Sequence, residues 1–124
     1  MQLNYQLFII INFKMGQIRN IKPEEILLVQ SFLKTLGATE KQFPIPTEVD
    51  EYEEGKMGSI SFCTDGSVQY LDDLIQVEYI DTDGVEVVIT LTKDINKKLL
   101  DLDFWKKDFS KLLKYPTPEE VKVI

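Results

Sequence analysis

Between residues 58 and 109 apolar and polar positions alternate with a period of two, interrupted by turn residues, which is the pattern of an antiparallel strand meander. The tripeptide Thr-Asp-Gly occurs there twice, as Thr64-Asp65-Gly66 and Thr82-Asp83-Gly84, each time between strand-like segments. A three-residue hairpin loop ending on a left-handed glycine suits that tripeptide, because glycine takes the left-handed position without strain. With Thr82-Asp83-Gly84 as the loop, Asp81 faces Val85, Tyr79 opposes Val87, Val77 opposes Ile89 and Ile75 opposes Leu91. The last three pairs are apolar and share one face, whereas a four-residue loop sets Tyr79 against Glu86 and mixes the faces. The same loop at Thr64-Asp65-Gly66 pairs Phe62 with Val68 and Ile60 with Tyr70. Inward positions are then even-numbered at Tyr70 and odd-numbered by Ile75, so a β-bulge or break is expected within residues 71–74. A third hairpin around Asp94-Ile95-Asn96-Lys97 sets Leu91 opposite Leu100, Ile89 opposite Leu102 and Val87 opposite Phe104.

Upstream the period changes to that of a helix. Lys22-Pro23-Glu24-Glu25 is a helix start, with proline at the first helical position and two acids at the positive end of the dipole. Ile26, Leu27, Val29, Phe32, Leu33 and Leu36 supply an apolar stripe, and Gly37 a stop. Pro44 and Pro46 mark an extended segment, followed by a short strand near residues 47–52 with Val49 inward. Asp50, Glu51, Glu53 and Glu54 read most simply as a solvated loop. The pattern predicts an α+β fold, one N-terminal helix packed as a second layer on a four- to five-stranded antiparallel meander sheet. Residues 15–116 form the single domain, with residues 1–14 an extension or edge strand and residues 117–124 a tail. Leu7 to Ile11 is too short an apolar run for a membrane span and lacks the flanks of a signal peptide.

Composition narrows the chemistry. The chain has 124 residues, enough for one domain with a core, and its 21 acids against 14 bases give a net charge of −7. That charge disfavours nucleic acid and anionic membrane. Histidine is absent, which removes Ser-His-Asp and Cys-His catalysis and most zinc sites. One cysteine, Cys63, excludes an internal disulfide and suits a cytoplasmic location. No glycine-rich phosphate loop or nucleophile elbow is present, and no cofactor is expected.

The register leaves a second face. Gln76, Thr90 and Asp101 form one cross-strand row, Glu78, Val88 and Asp103 the next, and Ile80, Glu86 and Trp105 the third. An apolar centre of Ile80, Val88 and Trp105 is thereby rimmed by Glu78, Glu86, Asp101 and Asp103, a composition used for protein recognition. The simpler alternative covers Trp105 with the segment 107–115 or with residues 1–14. The carboxylates Glu78, Asp101 and Asp103 also admit a divalent-metal enzyme reading, because oxygen clusters hold magnesium or calcium.

Three segments carry a resemblance: Lys56-Met57-Gly58-Ser59-Ile60, Asp81-Thr82-Asp83-Gly84-Val85, and Leu102-Asp103-Phe104-Trp105-Lys106-Lys107-Asp108-Phe109-Ser110-Lys111-Leu112. Over about residues 19–116 the chain resembles a family of small bacterial domains of unknown function, with Lys56 where that family has a second glycine. The resemblance implies a fold unit and no particular chemistry; by analogy, small acidic domains of this build resemble immunity proteins. The expectation is a non-catalytic protein-interaction domain, immunity or regulatory in role, with another protein as partner. The alternatives are the metal enzyme and a homo-oligomer that buries the same face.

Overall fold

The computed structural model of the chain describes residues 17–52 and 56–124. Among them are one α-helix, α1 (Pro23–Leu36), and seven strands: β1 (Gln17–Asn20), β2 (Glu48–Glu51), β3 (Ile60–Ser61), β4 (Tyr70–Ile80), β5 (Glu86–Asp94), β6 (Leu99–Lys106) and β7 (Lys122–Val123). They form one sheet in the order β1-β2-β3-β6-β5-β4-β7, every neighbouring pair antiparallel. The fold is α+β, and the sheet is larger than the expected four or five strands. The additional strands are short pieces of two to four residues whose backbone hydrogen bonds find partners on the meander's two sides. The expected edge strand within residues 1–14 lies outside the described residues.

The β4–β5 hairpin has the expected register: Ile75, Val77 and Tyr79 oppose Leu91, Ile89 and Val87. Its loop closes from the Asp81 amide to the Val85 carbonyl at 3.0 Å, with Gly84 at φ 81°. Irregularities do stand between Tyr70 and Asp72 and between Asp73 and Ile75, but their two one-residue shifts cancel: Tyr70, expected inward opposite Ile60, opposes Asp94 and is exposed.

Two strand pairings differ from expectation. The first Thr-Asp-Gly does not close a hairpin: Ile60 pairs with Leu102 and Ser61 with Asp101, so β3 joins β6 and is separated from β4 by two strands. The meander leaves the far side of β6 open, and buried Ile60 meets buried Leu102 there. In the third hairpin Leu91, Ile89 and Val87 oppose Leu102, Phe104 and Lys106, two residues beyond the expected register. One residue comes from the loop, which is Ile95-Asn96-Lys97 between Asp94 and Lys98, with Lys97 left-handed at φ 63°. The other comes from an irregularity between Leu91 and Lys93. Two one-residue shifts preserve parity, so each side chain keeps its expected face while every row slides.

α1 packs on the inner face, where Leu28, Val29, Phe32 and Leu33 join Val49, Ile60, Val77, Ile89, Leu91, Leu102 and Phe104 in one core. Its stripe is rotated from the expected one: Glu25 and Leu28 are buried, while Leu27 and Leu36 are exposed. Glu25 tolerates burial because Arg19 grips both of its oxygens, at 2.9 and 2.7 Å, and the Lys22 amide donates to it at 2.8 Å. Gly37, at φ 70°, ends the helix as expected. Residues 112–121 cover the rest of the inner face: Leu112, Tyr115 and Val121 pack on the core, and the Tyr115 ring lies 5.2 Å from that of Phe104.

Candidate functional site

Alternation along β6 sends Asp101, Asp103 and Trp105 to the outer face and Leu102, Phe104 and Lys106 to the inner one. Because the rows have slid, Trp105 stands in the row of Glu78 and Val88, Asp103 in that of Gln76 and Thr90, and Lys107 bonds to the row of Ile80 and Glu86. Six of the seven expected contact residues therefore share a patch: Ile80, Val88, Trp105, Glu78, Glu86 and Asp103. Asp101 does not belong to it. It pairs with Ser61 and accepts the Tyr52 hydroxyl at 2.9 Å, beside Asp50 rather than Trp105.

Trp105 is 44% exposed and Ile80 58% exposed, so the apolar centre faces solvent. The segment 107–115 does not bury the indole; it adds a second aromatic. Phe109, 62% exposed, lies 6.3 Å from Trp105 between ring centroids, the planes tilted by 60°. Its backbone is left-handed at φ 63°, a conformation that a bulky side chain rarely adopts and that marks local strain. On the rim, Lys107 bridges Glu86 at 2.6 Å and holds its carboxyl below the ordinary range. The Ser59 hydroxyl is shared between Asp103 Oδ1 at 3.3 Å and the Phe104 carbonyl at 3.2 Å.

What holds Phe109 in place lies on the other side of the strand. Lys106, fully buried, reaches Asp81 at 2.9 Å, Asp83 at 2.7 Å and the Lys111 carbonyl at 2.9 Å. Asp81 also accepts the amides of Thr82, Leu113 and Lys114 at 2.8, 2.8 and 3.1 Å. Burial works to raise the Asp81 pKa, but these amides and Lys106 outweigh it and leave it lowered. The β4–β5 turn thus grips both ends of the segment that carries Phe109. Lys106 and Phe109 were not among the expected site residues. The parity of Leu100, Leu102 and Phe104 already sends Lys106 inward once β6 is extended by one step. Phe109 has no such signal, because its position follows from a backbone angle.

The other acidic part of the outer face behaves differently. Asp50, expected in a solvated loop, is buried, and its Oδ1 has no hydrogen-bond partner among the described residues. Burial first, then neighbouring Glu51, pushes its pKa up. Burial likewise raises Asp101, with Asp103 adding to it, and Tyr52, with Asp101 adding to it. The expected carboxylate grouping is drawn apart, since Trp105 replaces Asp103 in the Glu78 row, Asp103 moves to the row of Gln76 and Thr90, and Asp101 lies a further row away. Among the described residues no group of three or more Asp, Glu, Cys or His has the geometry to hold a metal ion.

One cleft of about 180 Å³ opens at the start of α1, lined by Arg19, Lys22, Glu24, Glu25, Glu51, Gly58, Ser59, Leu112 and Tyr115. Its guanidinium is already engaged by Glu25 and by Glu51 at 2.6 Å, and Ser59 exchanges hydrogen bonds with the Phe104 backbone. Gly58 fits this loop closely: at φ 97°, a Cβ there would lie 3.2 Å from a Leu112 methyl carbon.

The segments that carry the resemblance therefore converge. Met57-Gly58-Ser59 leans on Phe104 and Leu112, and Asp81 and Asp83 bind Lys106 and the backbone that follows it. The chain matches the model of the family described as Domain of unknown function (DUF6984) over residues 18–116. It belongs to that family. Neither a curated protein nor a solved structure matches it. The family's span ends just after Tyr115, so it includes the Phe109 segment and its buried clamp. Among the described residues no helix is long and apolar enough to cross a membrane.

Proposed function

We propose that this DUF6984 domain is a non-catalytic protein-interaction module, regulatory or immunity-like in role, whose contact surface is the patch of Trp105, Phe109, Ile80 and Val88 rimmed by Glu78, Glu86 and Asp103. The observation that carries the reading is the solvent-facing Trp105–Phe109 pair, with Phe109 in a strained left-handed conformation. Exposed aromatics at the centre of a polar rim are the residues that dominate binding energy in protein interfaces. Strain at an exposed phenylalanine stabilises nothing by itself, so its presence favours a role in contact. A sheet face without histidine and without a gathered carboxylate triad favours recognition over catalysis.

The test compares the wild-type protein with Trp105→Ala and with Phe109→Ala as baits in its native lysate. Any partner found is then purified and its affinity measured. Both variants are expected to keep the wild-type circular dichroism and to lose the partner by at least about tenfold in Kd, a typical hot-spot effect. Equal affinity of all three would refute the reading.

A further inference from the structure

We propose that Asp65 is a site of spontaneous isoaspartate formation, and that the fold protects the second copy of the same Thr-Asp-Gly tripeptide, at Asp83, from that reaction. Aspartate followed by glycine is open to ring closure, because no Cβ on the following residue hinders the approach of its nitrogen to the side-chain carbonyl carbon. The Gly66 nitrogen, its proton given up to solvent, bonds to Cγ of the Asp65 carboxylic acid. The Cγ–O bond breaks, and the oxygen leaves as water with the carboxyl proton and the one the amide gave up. A second water then reopens the five-membered imide. Attack at its main-chain carbonyl leaves the chain running through the Asp65 side chain, which is isoaspartate. Water is the only co-reactant, and the mass of the chain returns to its starting value.

Both aspartates are exposed, so hydrogen bonding rather than access separates the two tripeptides. At Asp83 each reacting group is held. The Gly84 amide donates to the Asp81 carbonyl at 2.8 Å, Asp83 Oδ1 accepts the Val85 amide at 3.2 Å, and Oδ2 meets buried Lys106 at 2.7 Å. Closure there requires opening both the β4–β5 turn and the clamp beneath it. Asp65 and Gly66 instead lie between β3 and β4, outside any strand, and the Gly66 amide has no hydrogen-bond partner among the described residues. The Asp65 carboxylate is held only within its own loop, by Ser67, whose amide donates at 2.9 Å, and by the Cys63 thiol at 3.1 Å. Releasing it breaks local contacts and no strand pairing, the kind of opening that lies at the low-stability end of a fold.

The test warms the whole protein for several weeks at neutral pH, beside a portion kept unfolded in guanidinium chloride. Peptides from both are separated by chromatography, and electron-transfer mass spectrometry places each isoaspartate. In the folded protein isoaspartate at Asp65 is expected to exceed that at Asp83 at least about tenfold, because a closed site reacts only through its open fraction. In denaturant the two sites are expected to react alike. Asp65→Asn closes the same ring with ammonia as the leaving group, so the intact mass of the folded variant should rise by one unit. Equal isoaspartate at the two sites of the folded protein would overturn the inference. So would isoaspartate at Asp65 that forms in denaturant and not in the folded chain, or a folded Asp65→Asn variant whose mass stays constant.

Discussion

Asp81 and Asp50 are two aspartates with nearly the same exposure, 3% and 2%, on opposite faces of one sheet, and the fold treats them in opposite ways. Asp81 receives a buried lysine and three backbone amides, and its pKa falls below the ordinary carboxylate value. Among the described residues Asp50 has no cation on it and one oxygen without a partner, and its pKa is pushed up by burial. Burial alone therefore does not decide what an acid does. The donors that reach it decide. Where they are complete, the carboxylate is a clamp, here the one that holds the Phe109 segment. Where they are missing, it is a proton-binding point that weakens the fold as it ionises.

The largest effect expected from this difference follows from removing the clamp. Asp81→Ala leaves Lys106 buried with one carboxylate fewer and orphans the amides of Leu113 and Lys114. Breaking a buried pair from one side costs about 3–5 kcal/mol, and urea unfolding monitored by circular dichroism would read it. The same variant should free the 107–114 segment, so the Trp105 fluorescence should shift as Phe109 leaves the indole. A loss below about 1 kcal/mol would place Asp81 among ordinary surface ion pairs.

The pH dependence separates the two aspartates by sign. Because the Asp81 pKa is lowered on folding, its contribution is present above the unfolded value of about 3.9 and is lost as pH falls through its folded value. Because the pKa values of Asp50 and Asp101 are raised, their contribution is fully present below about 3.9 and is lost as pH rises through their folded values. Asp50→Asn should therefore be more stable than wild type at pH 8, by about 1–2 kcal/mol, with the gap closing toward pH 3. A variant less stable than wild type at pH 8 would mean that the ionised Asp50 is satisfied after all.

How far these two sites could be read from sequence depends on local turn chemistry. The Thr82-Asp83-Gly84 loop fixes the β4–β5 register within a few residues of itself, so Ile75, Val77 and Tyr79 fell opposite their true partners. An irregularity does fall near residues 71–74, but the expectation of it rested on an inward Tyr70 opposite Ile60, a pairing the fold does not make. The β5–β6 rows could not be had that way, because a left-handed Lys97 and a bulge near Thr92 each add one residue and neither is announced by glycine. Their parities cancel, which is why Trp105 and Asp103 were assigned to the correct face and the wrong row. The β3 pairing depends on which edge of a finished sheet is open, a tertiary fact with no local signature. The same holds for Asp50, whose acidic neighbours Glu51, Glu53 and Glu54 read as solvent-facing, and for Lys106, which looked like one more surface charge in Trp105-Lys106-Lys107. The grouping of Ile80, Val88, Trp105, Glu78 and Glu86 on one face was legible, whereas the slide of the rows sets Asp101 apart from Trp105 and the approach of Phe109 had no local signal.

Phe109 supplies the smallest effect, and it tests whether the clamp maintains strain for a purpose. A left-handed backbone costs a non-glycine residue about 1–2 kcal/mol, with asparagine the most tolerant alternative, and the ring's contact with Trp105 returns about 0.5–1.5 kcal/mol. Phe109→Asn trades one term for the other, so its stability should stay within about 1 kcal/mol of wild type. Phe109→Val keeps an apolar side chain but puts a β-branched residue where it fits worst, and should be less stable than the asparagine variant by about 1 kcal/mol. If instead Phe109→Asn is the weaker of the two, the ring is a packing anchor for the segment and its exposure is incidental. If the expected order holds while Phe109→Asn fails to bind the partner that wild type binds, the Asp81–Lys106 clamp holds a residue whose benefit appears only in the complex.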